Sequence, residues 1–155
     1  MAVLQLVSFE LNKEEFAVDI NNVSGIIKYK SYTISKVPNS PRELEGFINL
    51  RGKITPVYNL KKKFQYDDTV INTDSKIITV NNNESIIGFI VDDVTDIFRI
   101  KDEDIEPFPS SLGGDCNYIK GIGKMEKSMV VILDLLKSLS KKDMSQLQSI
   151  KSMAV

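Results

Sequence analysis

Three groups of residues carry types and spacings from which chemistry is usually built. Asp92, Asp93 and Asp96 place three carboxylates close together, a donor set that suits a hard divalent cation. Their spacing departs from that of a calcium-binding loop, so a solvated turn is the plainer reading. Lys61, Lys62 and Lys63 form a basic run suited to phosphate, yet Asp67 and Asp68 follow closely and no broad basic surface accompanies it. The stretch from Lys101 to Glu106, with Asp102, Glu103 and Asp104 between, reads as an exposed loop or helical turn rather than as an acid–base pair.

What the chain lacks narrows the chemistry further. It has no histidine, which removes the commonest general base and metal ligand. Cys116 is the only cysteine, so cysteine–histidine catalysis, a paired-cysteine zinc site and an intramolecular disulfide are all excluded. No phosphate-binding loop pattern occurs, and Gly121-Ile122-Gly123 is too short for a dinucleotide fingerprint. We expect no catalytic residues, no metal and no cofactor. The formal net charge of -1 supplies no global field that would draw nucleic acid or anionic lipid, so partners must be recognised by local patches. The longest apolar stretches are too short to span a bilayer and the N-terminal residues lack a basic leader, which makes a cytoplasmic, soluble protein the expectation.

The elements that must position any binding surface are strands. Apolar residues alternate or run in short blocks bounded by turn residues, as in Leu4 to Leu11, Phe16 to Ile20, Lys76 to Val80 and Ile86 to Val91. Asn12 to Glu15 and Asn81 to Ser85 are plausible hairpin turns, since asparagine tolerates left-handed backbone. These segments also repeat. Phe16 to Tyr29 can be laid on Ile87 to Ile100, with Val23 on Val94 and Ile26 on Ile97, an offset of 71 residues. Gly46 to Leu60 can be laid on Gly121 to Leu135 at an offset of 75, the drift of four being a small insertion. Self-similarity of this kind indicates one folding unit used twice. At 155 residues the chain accommodates two small cores. The expected architecture is all-β, with two small antiparallel barrels packed together. The first spans about residues 12–72 and the second about 73–136, the N-terminal strand joining either. A helix over 137–150 follows from the spacing of Leu135, Leu136, Leu139 and Leu147.

The most distinctive stretch is Val37 to Leu60. It reads as a loop through Pro38 and Pro41, a strand Phe47 to Leu50, a tight turn at Arg51-Gly52-Lys53 and a returning strand Ile54 to Tyr58. Pro56 cannot donate a ladder bond, which places that strand at an edge or bulge. The run Gly46-Phe47-Ile48-Asn49-Leu50-Arg51-Gly52, followed by Ile54-Thr55-Pro56-Val57-Tyr58-Asn59-Leu60, closely resembles the signature of CheW-like domains. These occur in chemotaxis coupling proteins and in the regulatory domain of the CheA histidine kinase. Ile90 to Ile97, Lys120 to Gly123 and Val131 to Leu135 look like further family pieces, so the resemblance covers nearly the whole chain as a single CheW-like domain, 1–155.

The resemblance implies that the two units are five-stranded barrels of the Src-homology-3-like type. It implies a non-enzymatic adaptor that couples methyl-accepting chemotaxis receptors to the CheA histidine kinase in signalling arrays. The receptor's cytoplasmic tip and the kinase's regulatory domain are its expected partners. A scaffold of the same fold in another two-component pathway, or a barrel that binds nucleic acid or a small ligand, are the alternatives. By family position Arg51, Val23 and Gly46 belong to the receptor-facing region. Arg51 is also open to an internal ion pair between the barrels, Val23 to a half-buried strand role, and Gly46 to a tight backbone path. The apolar cluster Ile26, Ile27 and Tyr29, with Phe98 in the second copy, is the expected kinase-binding surface, or else the filling of the barrels. Gly25 stands where family members often carry an acid.

Overall fold

The apolar blocks become eleven strands in a computed structural model that describes residues 2–83, 85–108 and 118–139. In chain order they are β1 (Val3–Leu11), β2 (Glu14–Asp19), β3 (Val23–Lys28), β4 (Leu44–Leu50), β5 (Lys53–Asn59), β6 (Lys76–Asn82), β7 (Ser85–Val91), β8 (Asp93–Lys101), β9 (Ile105–Glu106), β10 (Ile119–Lys124) and β11 (Met129–Leu133). A single-turn helix, α1 (Leu60–Lys63), follows β5. Asn59 caps it, its side chain accepting from the amides of Lys61 and Lys62 and so satisfying two otherwise orphaned donors.

The strands form two sheets, one ordered β8-β1-β2-β11-β10-β9 and the other β3-β6-β7-β5-β4. Matching β1 with β6, β2 with β7, β3 with β8, β4 with β10 and β5 with β11 makes the two orders coincide, which is the internal repeat realised in hydrogen bonds. The agreement reaches single residues. Both edge ladders shift register at one skipped residue, Ser24 in β3 and Thr95 in β8. The Asn59 amide donates to Glu43 O at 2.8 Å, and Asp134, 75 residues on, donates to Tyr118 O at 2.7 Å.

The pairing corrects the expected division of the chain. The hairpin β6–β7, although it lies beyond residue 73, completes the sheet of β3, β4 and β5, while β1–β2 completes the sheet of β8 to β11. Each repeat therefore lends its leading hairpin to the other. Among the described residues the chain crosses between sheets twice, at the 3-10 turn Ile20–Asn22 and at Asp92.

Closed barrels are not observed either. Each order is open, and among the described residues no ladder joins β3 to β4 or β8 to β10. The chain leaving β3 turns through Tyr29–Ser31 and reaches β4 by one bridge, Ser35 to Phe47. The chain leaving β8 turns through Asp102–Asp104 and reaches β10 through the two residues of β9. β5 is an interior strand, and the edge or bulge that Pro56 suggested is present only locally, with a bulge in the facing β4 at Leu44 to Gly46. Its ladder with β7 begins only at Val57, so the missing donor is tolerated. Of the helix expected over 137–150, Leu136–Ser138 form a 3-10 turn and the positions from 140 onward lie outside the described residues.

Among the described residues the core has three parts, and they explain why the central strands read as unbroken apolar runs. A shared cluster between the sheets holds Val7, Phe9 and Val18 from one and Tyr58, Ile78 and Phe89 from the other. Leu6, Ala17 and Ile132 fill the opposite face of the first sheet, and Ile48, Val57 and Ile77 that of the second. Neighbouring residues such as Ile77 and Ile78 thus face different clusters, and strands buried on both faces lose their alternation.

Candidate docking surface

Arg51 and Gly52 are the two central residues of the β4–β5 hairpin, with φ of 54° and 83°. Two successive left-handed residues make the primed turn that matches strand twist. The Asn49 side chain accepts from the Gly52 amide at 2.8 Å and locks it. Glycine meets this geometry without strain, whereas arginine is unusual there. Arg51 is exposed and forms no ion pair among the described residues. The internal bridge considered for it is therefore not seen among them.

Gly46 has a structural cause. Its φ is 148°, and a Cβ there would come within 2.2 Å of Ser35 O, so β4 can meet the chain leaving β3 only through glycine. Val23 starts β3, half-buried against the shared core at the seam between sheets. The three receptor-facing candidates are thus spread over opposite edge strands of one sheet, Val23 on β3 and the others on the β4–β5 hairpin.

The apolar cluster divides. Ile26 is 39% exposed, but Ile27 and Tyr29 pack against the core of their own sheet, and Phe98 packs against that of the other. Of the two readings open for them, surface or filling, these three take the inward position: alternation along β3 and β8 turns Ile27 and Phe98 in, and Tyr29 follows from the 3-10 turn after β3. The residue missed is Ile97, 48% exposed and 71 positions from Ile26. Ile26 pairs with Ile78 and Ile97 with Val7, so the two are equivalent apolar residues on the outer strand of each sheet. The repeat alignment, which sets Ile26 on Ile97, was the signal that could have found it.

The acidic cluster is pulled apart by local bonds. Asp93 accepts from the Val94 amide and Asp96 from the Ile97 amide. Asp92 instead meets Lys61, the first residue of the basic run. Lys61 is 5% exposed; its Nζ lies 2.8 Å from Asp92 Oδ1 and donates to Val70 O at 2.6 Å. Asp92 Oδ2 accepts from the Asn12 amide at 2.7 Å, and Asn12 Nδ2 donates to Asp68 O at 3.0 Å. An open cleft of about 670 Å³ lies over this junction, lined by Glu10, Asn72 and Asp74 among others. Nearby, the Tyr66 hydroxyl donates to Glu14 at 3.3 Å, and burial, helped by the Glu14 charge, pushes its pKa up to about 12. Among the described residues no helix is long and apolar enough to cross a membrane, and no group of acids, cysteines or histidines is arranged to hold a metal.

Comparison with known proteins agrees with this architecture. The family profile of the CheW-like domain matches residues 5–143. The chemotaxis protein CheW of Helicobacter pylori is 37% identical over 139 residues, covering 90% of this chain and 83% of that protein. Its Bacillus subtilis namesake is 30% identical, covering 84% of each. A solved structure of the scaffolding protein TtCheW from Thermoanaerobacter tengcongensis superposes with a TM-score of 0.78 at 36% identity, covering 85% of this chain and 89% of that one. A chain with this repeat, this hairpin signature and these relatives belongs to the CheW-like family of chemotaxis adaptors.

Proposed function

We propose that the chain is a non-enzymatic adaptor of the cytoplasm that holds a methyl-accepting chemoreceptor tip and the CheA regulatory domain together in a signalling array. The observation that carries the site assignment is Arg51. A charged residue occupies a left-handed turn position that glycine would fill with less strain, and among the described residues it bonds to nothing ionic. Strain retained at an exposed tip points to use of that side chain. The guanidinium, with five donors in a planar fork, suits a carboxylate or a run of carbonyls on the receptor. Val23 adds apolar contact at the seam, and Gly46 acts by fixing the path of β4. Kinase contact centres on Ile26, with Ile97 as its counterpart on the second sheet. Ile27, Tyr29 and Phe98 support these two from beneath.

Holding two partners at once raises the effective concentration of each for the other, so modest separate affinities assemble a stable complex. Calorimetric titration of the purified protein with a CheA regulatory domain, and of that mixture with a receptor tip fragment, tests the role. Saturable binding of both without competition is expected. Absence of heat with either partner, from a folded protein, removes the coupling role.

A further inference from the structure

The junction at Lys61 has an unlike counterpart. Lys61 ties together three stretches: α1 with the loop after it, the crossover at Asp92, and the β1–β2 turn at Asn12. The first belongs to one sheet, the last to the other, and the crossover joins them. The position of Lys61 is taken in the second repeat by Leu136, and that of Asp92 in the first repeat by Asn21. The Lys61–Asp92 pair therefore has no equivalent at the matching place, where Leu136 packs against the shared core and Asn21 is exposed, so the fold does not demand the charges.

Buried ion pairs seldom add net stability over an apolar replacement, because desolvation offsets the attraction. What they add is direction. The shared core is held by apolar burial, which is non-directional and tolerates small changes in the angle between the sheets. Lys61 and Asp92 meet each other, Val70 O and the Asn12 amide through short directional contacts, which weaken steeply as geometry departs from the optimum. We propose that Lys61 and Asp92 are a positioning pair that fixes the angle between the sheets. They thereby fix the placement of Ile26 on β3 relative to Ile97 on β8, the two edges a kinase assembly must meet together. This inference rests on the coupling role for its functional half and on geometry alone for its structural half.

The test uses the full chain with Lys61→Met and Asp92→Leu combined. Spin labels go at the equivalent exposed strand positions Lys28→Cys and Arg99→Cys, in a Cys116→Ser background. The expected result is a melting temperature equal to or above that of the parent, a label-to-label distance distribution at least twice as wide, and receptor and kinase affinities each within threefold. Assembly of the three-component complex is expected to fall at least tenfold. Lys61→Arg, which keeps the charge, restores the narrow distribution. A folded double variant with the parent's distribution overturns the proposal. So does a double variant that does not fold while Asp92→Asn, which still offers Asn12 an acceptor, folds with an unchanged distribution. A parent protein that gives a narrow distribution but no three-component complex refutes the coupling role and leaves the positioning of the sheets standing.

Discussion

The β4–β5 and β10–β11 hairpins occupy equivalent places in the two sheets, and their tips differ. The first turns on Arg51 and Gly52, both left-handed. The second closes with the Met125 amide donating to Ser128 O, and Glu126 and Lys127, at the positions of Arg51 and Gly52, have no positive φ. Strand order, bulges and buried faces are shared between the repeats, whereas backbone strain and charge at the tips are not. Shared features belong to the frame, and under the proposed coupling role the differences are where one copy meets a partner.

The largest effect should come from cutting the frame itself. Because each sheet borrows a hairpin, fragments 1–72 and 73–155 should each be unfolded alone and should regain strand signal by circular dichroism only when mixed. Independent folding of either half would break the equivalence of the sheets. The two bulge glycines sharpen it. Gly46→Ala combines a positive φ with a 2.2 Å clash and should lower stability by about 3 kcal/mol. Gly121→Ala meets Glu106 O at 2.8 Å without a positive φ and should lose roughly half as much in urea denaturation.

Smaller effects belong to the tips. Arg51→Glu should weaken receptor-fragment binding roughly tenfold, the loss of a charge-assisted hydrogen bond, with stability changed by less than about 0.5 kcal/mol. Glu126→Arg should leave that affinity unaltered. Arg51→Gly should bind as poorly as the glutamate variant yet be more stable by roughly 0.5–1 kcal/mol, since the left-handed strain is gone. The smallest effect is alkaline. Tyr66 is raised above its unfolded value of 10.0, so its share of stability is intact below that pH and is lost as pH rises through about 12. Spectroscopic titration should show a late tyrosine component that is reduced in Tyr66→Phe.

Much of this frame was legible from residues. The repeat, the hairpins and the Arg51-Gly52 turn follow from alternation and turn chemistry, which are local. Exchange of hairpins was not legible, because alignment of β1 with β6 shows that they are alike and not which sheet each joins. The inward faces of Ile27, Tyr29 and Phe98 were hidden because both edge strands carry adjacent apolar residues, Ile26 beside Ile27 and Ile97 beside Phe98, and residue type alone does not say which of the two turns in. Lys61 was lost within a basic run, and only Leu136 at the matching position of the second repeat marked the site as one that belongs indoors.

Exchange of hairpins also sets a timetable for synthesis. Sheet β3-β6-β7-β5-β4 has all its strands once Val91 has left the ribosome. The hairpin β1–β2 gains β8 on one edge once Lys101 has emerged, but its other edge waits for β11, and the apolar cluster of Leu6 and Ala17 is completed only when about residue 133 emerges. The hairpin β1–β2, although made before β6–β7, is thus sheltered after it, and during that interval it is open to chaperone binding.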